Sequence, residues 1–589
     1  MRSFRLILVL AAVLANNPVS AETESAADVQ LDNVIADYWE LFLQSNPAAA
    51  TRVGVYDFND QLPSVTPASL EKQFQANQAL LRRARDIDRA SMTENGRINA
   101  ELLVWVLEDF IVAAELDSSR IPFNTFWGFF MNALRASSNI AMRTVDDYED
   151  YLARLREIPR YFDENINNMR RGAADGFVLP QIVIDGVLPT LQAQVKEDPA
   201  DSSFYDAFED MSVKLSAAEQ DRLHAEGEQV IRDSVMPAFR ALAEFLAEEY
   251  EASSTIGAEQ LPNGEAFYAF QIRRYTTLTN TSADEIHAIG LGEVARIRSE
   301  MQAIIDELEF DGNFEEFTEF LLTDPQFYAE TSEELLQRVA YVAKSVDFLM
   351  PGYFGKLPRQ SYGIVPVPDE IAPNYPTGAY SGAPLDAKNG GTYWVNTHAL
   401  DQRPLYEIPA LTLHEGVPGH HHQKALALEL ENVPQFRQTL GFSAFGEGWG
   451  LYSEKLGVEM GVYKTPYEHF GRLSYEMWRA CRLVIDTGIH SQEWTRQQAI
   501  DFLMANTALT AANARAEIDR YISWPGQALS YKLGELKIWE LRRRAETELG
   551  DAFDLRKFHD AVLGHGELPL SMLDAVITRY IDATLAAAG

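Results

Sequence analysis

Cysteine is almost absent from this chain. Cys481 is the single cysteine among 589 residues, so no disulfide can form within the chain. A chain of this length can bury enough surface to fold without one. Hydrophobic residues make up 46% of the sequence and charged residues 23%, which is typical of a globular protein and argues against extended disorder.

Positive charge is also scarce. Lys and Arg total 50 against 87 Asp and Glu, which gives a formal net charge of −37. A field of this sign repels the phosphates of DNA and RNA, so we expect no nucleic acid partner.

Long hydrophobic runs are missing, apart from one short run at the N-terminus. Arg2 and Arg5 precede an apolar stretch that ends near Leu14, and Val-Ser-Ala follows, ending at Ala21. This pattern predicts a secretory signal peptide at 1–21, cleaved after Ala21, and it is too short to span a bilayer. No cysteine follows it, so a lipid anchor is not indicated. We therefore expect a periplasmic or secreted protein without stable membrane insertion; its oligomeric state is not predicted.

Strand-like alternation is rare, and most of the chain has helical periodicity. Apolar residues recur at three- and four-residue spacing in four long runs, at 67–88, 144–173, 281–308 and 496–522. Ser282 and Glu285 form a capping-box pattern at the start of the third run. The only clear strand candidate is Gly-Gly-Thr-Tyr-Trp-Val-Asn-Thr at 390–397.

These patterns predict a mainly α fold with a small β-sheet. We expect an N-terminal helical region at 22–265 and a C-terminal helical region at 266–589, or one continuous domain. The segment from about Gly352 to Asn389 is rich in Pro, Gly and Tyr, and we expect it to be irregular.

Four of the eleven histidines lie in His-Glu-Gly-Val-Pro-Gly-His-His-His-Gln, which begins at His414. Zinc hydrolases often carry His-Glu-x-x-His, because residues four apart share one face of a helix. Here Pro418 occupies the position of the second histidine, and His420 follows His414 by six residues. That spacing is about 600° around an unbroken helix, so the two side chains would lie on nearly opposite faces.

The residues between the two histidines predict a break in the helix. Proline removes a backbone hydrogen bond, and Gly416 and Gly419 permit an unusual backbone course. With two residues looped out, His420 takes the place four residues after His414. We predict His414 and His420 as metal ligands, with His421 as the competing second ligand. The alternative is a solvated histidine-rich loop that binds metals weakly.

A second motif, Gly-Glu-Gly-Trp-Gly-Leu-Tyr-Ser-Glu at 446–454, supplies further carboxylates. It resembles the Asn-Glu-Gly-Phe-Ala segment of gluzincin aminopeptidases, and this resemblance implies that Glu447 is the third zinc ligand. Glu454 lies nearly on the same helical face and would orient a ligand. Glu415 would act as general base, taking a proton from the attacking water. Alternatively, Glu447 and Glu454 are ordinary surface charges.

Four motifs in order resemble the bacterial family called domain of unknown function 885. They begin at His414, Phe445, Arg482 and Arg520, and read HEGVPGHHHQ, FGEGWGLYSEKLGVEMG, RLVIDTGIHSQEW and RYISWPGQALSYKLG. The resemblance extends from about residue 30 to the C-terminus. Members resemble helical zinc peptidases of the thimet oligopeptidase and angiotensin-converting enzyme type. This implies a zincin-like fold with a cleft between lobes, one Zn²⁺ ion and short peptide substrates. Many members have a lipobox cysteine, which this chain lacks.

Further candidates would act on the substrate. Amide hydrolysis develops negative charge on the carbonyl oxygen, and Tyr521, Tyr531 or His490 is expected to stabilise it, with Asp486 setting the tautomer of His490. Ordinary core tyrosines and a structural polar network are the alternatives. Arg482 is a candidate for binding substrate.

The strand candidate suggests a second part of the substrate groove. In similar peptidases an edge strand at this place pairs with the extended substrate backbone, so Tyr393 and Asn396 are predicted to line the groove; an ordinary strand is the alternative. Arg520 and Lys532 are weaker candidates for binding a substrate carboxylate, and a surface position is expected for both.

The leading hypothesis is a secreted or periplasmic zinc metallopeptidase that hydrolyses short peptides. One alternative is a zinc hydrolase of a nonpeptide amide or ester. Another is a catalytically inactive protein that binds metal or peptide. The sequence does not separate exopeptidase from endopeptidase action.

Overall fold

The protein is mainly helical, with one small sheet, as the sequence predicts. A computed structural model describes residues 25–588 apart from 136–139, 141, 210, 212–214, 370 and 386. The predicted signal peptide at 1–21 lies outside these residues. Within them, no helix is long and apolar enough to cross a membrane.

Fifteen α-helices precede the sheet, and most begin with a Ser, Thr or Asn cap or with proline in the first turn. They are α1 (Ala26–Ser45), α2 (Pro47–Arg52), α3 (Pro67–Asp86), α4 (Glu94–Glu115), α5 (Phe129–Leu134), α6 (Val145–Arg156), α7 (Ile158–Asp175), α8 (Gln181–Gln192), α9 (Asp206–Glu209), α10 (Ala217–Val230), α11 (Met236–Glu244), α12 (Gly264–Thr276), α13 (Ala283–Glu307), α14 (Phe314–Thr323) and α15 (Ser332–Tyr353). The predicted capping box is present at α13, where Ser282 Oγ accepts from the Glu285 amide at 3.3 Å and the Glu285 carboxylate accepts from the Ser282 amide at 2.8 Å.

Ten α-helices follow the sheet and carry the candidate site. They are α16 (Ile408–Glu415), α17 (His420–Leu428), α18 (Gln435–Gln438), α19 (Ser443–Glu459), α20 (Pro466–Ser491), α21 (Arg496–Asn506), α22 (Ala511–Ser523), α23 (Ser530–Leu549), α24 (Leu555–Leu563) and α25 (Leu570–Ala588). The runs predicted at 144–173 and 496–522 are each helical but divide into two helices, α6 with α7 and α21 with α22.

The sheet has three strands in the order β1-β3-β2, namely β1 (Tyr362–Pro366), β2 (Gly378–Ser381) and β3 (Gly391–Val395). β1 runs parallel to β3, and β2 runs antiparallel to it. β3 confirms the predicted strand. The expectation of an irregular segment at 352–389 is wrong in part, because β1 and β2 lie within it. Both are short and gain their ladder bonds from β3, which local periodicity does not reveal.

Buried hydrophobic residues form three large clusters. The first joins α1, α3 and α4 to α15, α16, α19 and α23–α25, and therefore crosses the predicted boundary near residue 265. The second lies among α5–α11, and the third among α13, α14 and α20–α22. The two helices that carry the candidate ligands His414 and Glu447, α16 and α19, are thus packed within the first core.

Glycines allow α19 to pack closely against α23. A Cβ on Gly448 would lie 2.5 Å from the Cα of Gly534, and a Cβ on Gly534 would lie 1.9 Å from the carbonyl oxygen of Ala444. Any larger residue at these two positions would force the helices apart. The close contact fixes the position of α19, which carries Glu447 and Glu454.

Candidate metal centre

The helix breaks where the sequence predicts it. α16 ends at Glu415, and α17 begins at His420. The four residues between them leave the helical path, and the Val417–Pro418 peptide bond is cis. The looped segment returns the chain to a helix with His420 as its first residue.

Two contacts define the course of this break. A Cβ on Gly419 would lie 2.0 Å from the carbonyl oxygen of His414, so only glycine fits there. Trp449 of α19 is fully buried and donates its indole N–H to the carbonyl oxygen of Pro418 at 2.8 Å. The second motif therefore holds the first in place.

The break brings the three predicted ligand residues together. His414 Nε2 lies 3.4 Å from Glu447 Oε2, and His420 Nε2 lies 3.6 Å from the same oxygen. One nitrogen from each histidine and one carboxylate oxygen all lie within 4.8 Å of one another. Two imidazoles and one carboxylate are a donor set that zinc uses in catalytic sites, where a fourth position stays open.

Glu454 and Gly450 orient His414. Glu454 Oε1 accepts a hydrogen bond from His414 Nδ1 at 2.8 Å, which leaves Nε2 directed toward Glu447. A Cβ on Gly450 would lie 2.5 Å from the imidazole of His414, so this glycine makes room for the ring. The predicted contact of Glu454 with a ligand residue is present, and it is the carboxylate–histidine arrangement common around bound metals.

Mutual contacts shift the pKa values of the histidine and the glutamate in this cluster in opposite directions. Burial alone lowers the pKa of His414, but hydrogen bonds to the Glu447 and Glu454 carboxylates and the charge of Glu415 outweigh it and raise that pKa to about 10. Burial raises the pKa of Glu447, but hydrogen bonds from His414 and His420 hold it well below the usual range. His420 Nδ1 is buried without a hydrogen-bond partner among the described residues.

His421 and His422 lie elsewhere, because successive residues of a helix point about 100° apart. His421 Nδ1 is 3.0 Å from the hydroxyl of Tyr380, and burial lowers the pKa of His421 to about 4. The ring of His422 packs 4.6 Å from Phe354, and burial lowers its pKa to about 3. The cluster therefore contains His420 rather than His421. The alternative of a solvated histidine loop is wrong, because His420, His421 and His422 are all buried.

Glu415 lies beside the cluster, with 8% of its surface exposed. Burial and then the charge of Glu415 raise the pKa of Tyr375, and the same two causes raise the pKa of Tyr393 well above its ordinary value. Both phenols therefore lie within electrostatic range of the predicted base. Tyr375 was not predicted; its only sequence signal is the tyrosine-rich segment before β3.

Asn396 and Tyr393 are buried rather than groove-lining. Both are fully shielded from solvent, and β3 is the central strand, so the expectation of an edge strand here is wrong. Asn396 Nδ2 donates to the carbonyl oxygens of Ala372 and Tyr375, each at 2.8 Å. Asn396 therefore fixes the loop that carries Tyr375.

Tyr521, Tyr531 and Arg482 belong to a second polar cluster. The hydroxyl of Tyr521 donates to Glu517 Oε2 at 2.6 Å and accepts from Arg482 Nε at 2.9 Å and from Trp478 Nε1 at 3.1 Å. The ring of Tyr531 lies 4.3 Å from the guanidinium carbon of Arg482. The hydroxyl of Tyr521 is fully engaged, so it has no free donor for a substrate oxygen.

His490 and Asp486 do not pair as expected. His490 Nδ1 accepts from the Ala258 amide at 3.1 Å, and its Nε2 donates to the Tyr521 carbonyl at 3.0 Å. Asp486 accepts from the hydroxyl of Tyr268 at 2.6 Å. Burial lowers the pKa of His490 to about 4, so its ring is neutral. These contacts match the structural network that was the alternative prediction.

The surface positions expected for Arg520 and Lys532 are wrong. Arg520 is buried and pairs with Glu517 at 3.0 Å. Lys532 is completely buried, and its ammonium lies 2.5 Å from Glu535 and 2.7 Å from Glu476. Buried charges are stable only when they are paired. Glu476 is distant from Lys532 in sequence, whereas Glu517 and Glu535 lie three residues from Arg520 and Lys532 in the same helices.

Glu567 is a further carboxylate near the cluster that the sequence did not indicate. It accepts a hydrogen bond from the Phe442 amide at 2.7 Å, and its pKa is raised by burial and lowered in part by the charge of His420. It comes from the loop before α25, 120 residues after Glu447, and no local motif marks it.

The fold resembles those of two solved bacterial proteins. A protein of Colwellia psychrerythraea, provisionally described as a lipoprotein, is 28% identical, with a TM-score of 0.87 over 95% of this chain and 100% of its own. A protein of Shewanella oneidensis, provisionally described as a lipoprotein of unknown function, is 20% identical, with a TM-score of 0.73 over 94% of this chain and 100% of its own. None of the curated proteins matches the chain.

The resemblance to the family called domain of unknown function 885 covers the helices that carry the candidate metal centre and the polar cluster around Tyr521. A family model described as "Bacterial protein of unknown function (DUF885)" matches residues 47–577, which include every residue of the candidate metal centre, and the chain belongs to this family.

Proposed function

We propose that this protein is a zinc-dependent hydrolase of short peptides. The observation that carries the proposal is the convergence of His414, His420 and Glu447 within 4.8 Å. Glu454 is hydrogen-bonded to Nδ1 of His414. Within the described residues no Lys or Arg lies within 4.0 Å of these carboxylates, so the chain supplies no fixed cation there. In the zinc-free protein a proton on His414 offsets part of the carboxylate charge, and a bound zinc ion would replace that proton.

The order of these residues also supports a gluzincin-like enzyme. Two histidines and a glutamate base on a broken helix precede a third ligand on a later helix, as in the peptidases that the sequence resembles. We extend the proposal to a zincin-like arrangement with a cleft between lobes. The predicted signal peptide, together with two structural neighbours described as lipoproteins, supports a location outside the cytoplasm.

In this proposal each residue has a separate role. When bound, zinc would lower the pKa of a water and polarise the scissile carbonyl. Glu415 accepts a proton from the attacking water and donates it to the leaving nitrogen. Glu454 holds the tautomer and orientation of His414.

We further propose Tyr375, rather than Tyr521, as the donor to the developing oxyanion. Tyr375 is partly exposed and within electrostatic range of Glu415. The hydroxyl of Tyr521, by contrast, is hydrogen-bonded to Glu517. Tyr375→Phe should lower kcat by about 10²-fold, whereas Tyr521→Phe should act mainly on stability. Equal loss of kcat without loss of stability in both variants would contradict this assignment.

The test combines metal analysis with hydrolysis of a broad peptide library. Wild type should bind one zinc per chain. Glu415→Gln should retain that zinc and lose about 10²- to 10⁴-fold in kcat. Glu431→Gln, an exposed glutamate just after α17, is the matched control and should behave as wild type.

The outcomes separate the hypotheses. Tight zinc without Glu415-dependent cleavage of any peptide would count against a peptidase. Glu415-dependent cleavage of esters or nonpeptide amides alone would favour the alternative hydrolase. Loss of zinc stoichiometry in His414→Ala and Glu447→Ala is expected for a catalytic site but not for weak binding at the histidine run.

A further inference from the structure

Arg479 is a buried arginine without a carboxylate partner. It lies on α20 with 8% of its surface exposed. Among the described residues it forms one hydrogen bond, a long contact of 3.4 Å to the carbonyl of Tyr475 in its own helix, and its Nε has no partner there. No carboxylate oxygen of the described residues lies within 4.0 Å of its guanidinium. Arg472, two turns earlier, shows the usual arrangement, since it pairs with Glu476 at 2.6 Å.

Arg482, almost one turn further along α20, is only partly compensated. It lies 3.2 Å from Glu517, but Arg520 shares this carboxylate at 3.0 Å. Its Nη1 is buried without a partner. Three arginines, Arg479, Arg482 and Arg520, therefore have one directly bonded carboxylate among them, in a protein whose net charge is −37.

Aromatic rings surround the two guanidinium groups. Arg479 lies 4.7 Å from the ring of Tyr475 and 4.9 Å from that of Trp478. The guanidinium carbon of Arg482 lies 4.7 Å from the centroid of the same Trp478 ring. Such rings hold a guanidinium in place without neutralising it.

This group adjoins the candidate metal centre. α20 packs against α16, which carries His414 and Glu415, and against α19, which carries Glu447 and Glu454. Tyr475 of α20 is buried in the same hydrophobic cluster as Tyr393 and Leu413. Arg479 follows Tyr475 by one helical turn, about 6 Å along α20.

Glu407 is an acidic group near Arg479. The Arg479 and Arg403 charges both act on it, but neither forms an ion pair with it within 4.0 Å. Burial raises the pKa of Glu407 to about 7. Glu407 therefore does not neutralise both arginines.

We propose that Arg479, with Arg482 beside it, binds a carboxylate of the peptide substrate. The proposal rests on the proposed function and refines its substrate class to peptides that present a carboxylate a short distance from the cleaved bond. An arginine binds a carboxylate with two charge-assisted hydrogen bonds. A substrate carboxylate would supply the anion that Arg479 lacks and that Arg482 shares with Arg520.

A set of three peptides tests the proposal and identifies the source of the carboxylate. The first is a neutral tetrapeptide with a free C-terminus, the second is its C-terminal amide, and the third is an amide with one Asp side chain. Binding is measured calorimetrically with Glu415→Gln protein, with and without zinc, and kcat/KM is measured with wild type. Arg479→Gln, Arg479→Lys and the exposed control Arg556→Gln are compared in both assays.

The free acid should bind and react about ten- to a hundred-fold better than the amide, as expected for hydrogen bonds to a charged group. Arg479→Gln should abolish this preference, Arg479→Lys should retain part of it, and Arg556→Gln should leave it unchanged. An Asp-containing amide that matches the free acid would assign the site to side-chain carboxylates. The comparison of acid with amide in wild type holds even if Arg479→Gln folds poorly.

Two results would overturn the inference. One is equal binding and cleavage of acid and amide by wild type, and the other is an unchanged preference in folded Arg479→Gln. Cleavage without any preference would leave the proposed function intact and remove the carboxylate site. Arg479-dependent binding of the free acid without cleavage of any peptide would keep the site and refute the peptidase.

Discussion

Two buried groups of carboxylates lie on neighbouring helices and differ in what neutralises them. The lysine cluster comprises Lys532, Glu293, Glu476 and Glu535, and its ammonium lies 2.9 Å, 2.7 Å and 2.5 Å from the three carboxylates. Arg296 and Arg472 also pair with Glu476. In this cluster the chain itself supplies the cations.

The metal cluster comprises His414, His420, Glu447 and Glu454, and it has no such cation. Its carboxylates face imidazoles, and in the zinc-free protein a proton on His414, whose pKa is raised to about 10, supplies positive charge that a bound metal would replace. We therefore regard the lysine cluster as a structural charge network and propose the metal cluster as a site for an external cation. Burial and a shifted pKa are common to both, so neither property alone identifies a functional site.

The largest expected effect is in the lysine cluster. Lys532→Met should leave buried carboxylates without their shared cation and lower the free energy of unfolding by about 3–5 kcal/mol. Urea denaturation measures the change, and Lys557→Met, at an exposed position, is the control. A loss below about 0.5 kcal/mol would show that this cluster does not depend on its lysine.

The metal cluster should respond to zinc instead. Zinc at 100 times its dissociation constant should raise the free energy of unfolding of wild type by about 2.7 kcal/mol. Glu447→Ala should lose this gain, since it removes the carboxylate shared by His414 and His420, while Glu431→Ala should keep it. Equal stabilisation of Glu447→Ala would place the bound zinc elsewhere.

A smaller effect is expected for Glu454, which is hydrogen-bonded to His414. Glu454→Gln keeps an acceptor for Nδ1 but loses the charge, so zinc affinity should fall about 10- to 100-fold, or about 1.4–2.7 kcal/mol. Competition with a chromophoric chelator measures the affinity. Glu459→Gln, five residues along α19, should bind zinc as wild type does; an equal loss there would indicate a general effect of charge.

The smallest effect concerns the pH dependence of zinc-free protein. The pKa of His414 rises from 6.5 to about 10 on folding, so its stabilising contribution is complete below pH 6.5 and is lost as the pH rises toward 10. The expected slope is at most about 1.4 kcal/mol per pH unit. The pKa of Lys532 is raised above its ordinary value of 10.5, so this lysine adds no slope between pH 7 and pH 9.

Denaturation at pH 7, 8 and 9 tests this difference between the two clusters. His414→Ala should remove most of the slope, and Lys532→Met should leave it in place. A slope that survives in His414→Ala would assign it to another group.

Local sequence patterns predicted the helices because their periodicity and caps involve residues within one or two turns. Ser282 with Glu285 and the break at Gly416, Pro418 and Gly419 are examples. The two short strands before β3 were missed because their stability comes from pairing across the sheet. Asn396 was misassigned for the same reason, since its partners lie 21 and 24 residues away.

The sequence by itself determined the kinds of side chains at the candidate site and the interruption of the helix that carries them. The choice of His420 over His421 was made by tertiary packing, because the path of the looped segment depends on Trp449 from another helix. Packing also buried Lys532 among carboxylates and left Arg479 without one. Contacts between helices that are distant in sequence determine which of these charged groups are paired. Residue spacing along one helix cannot specify those contacts.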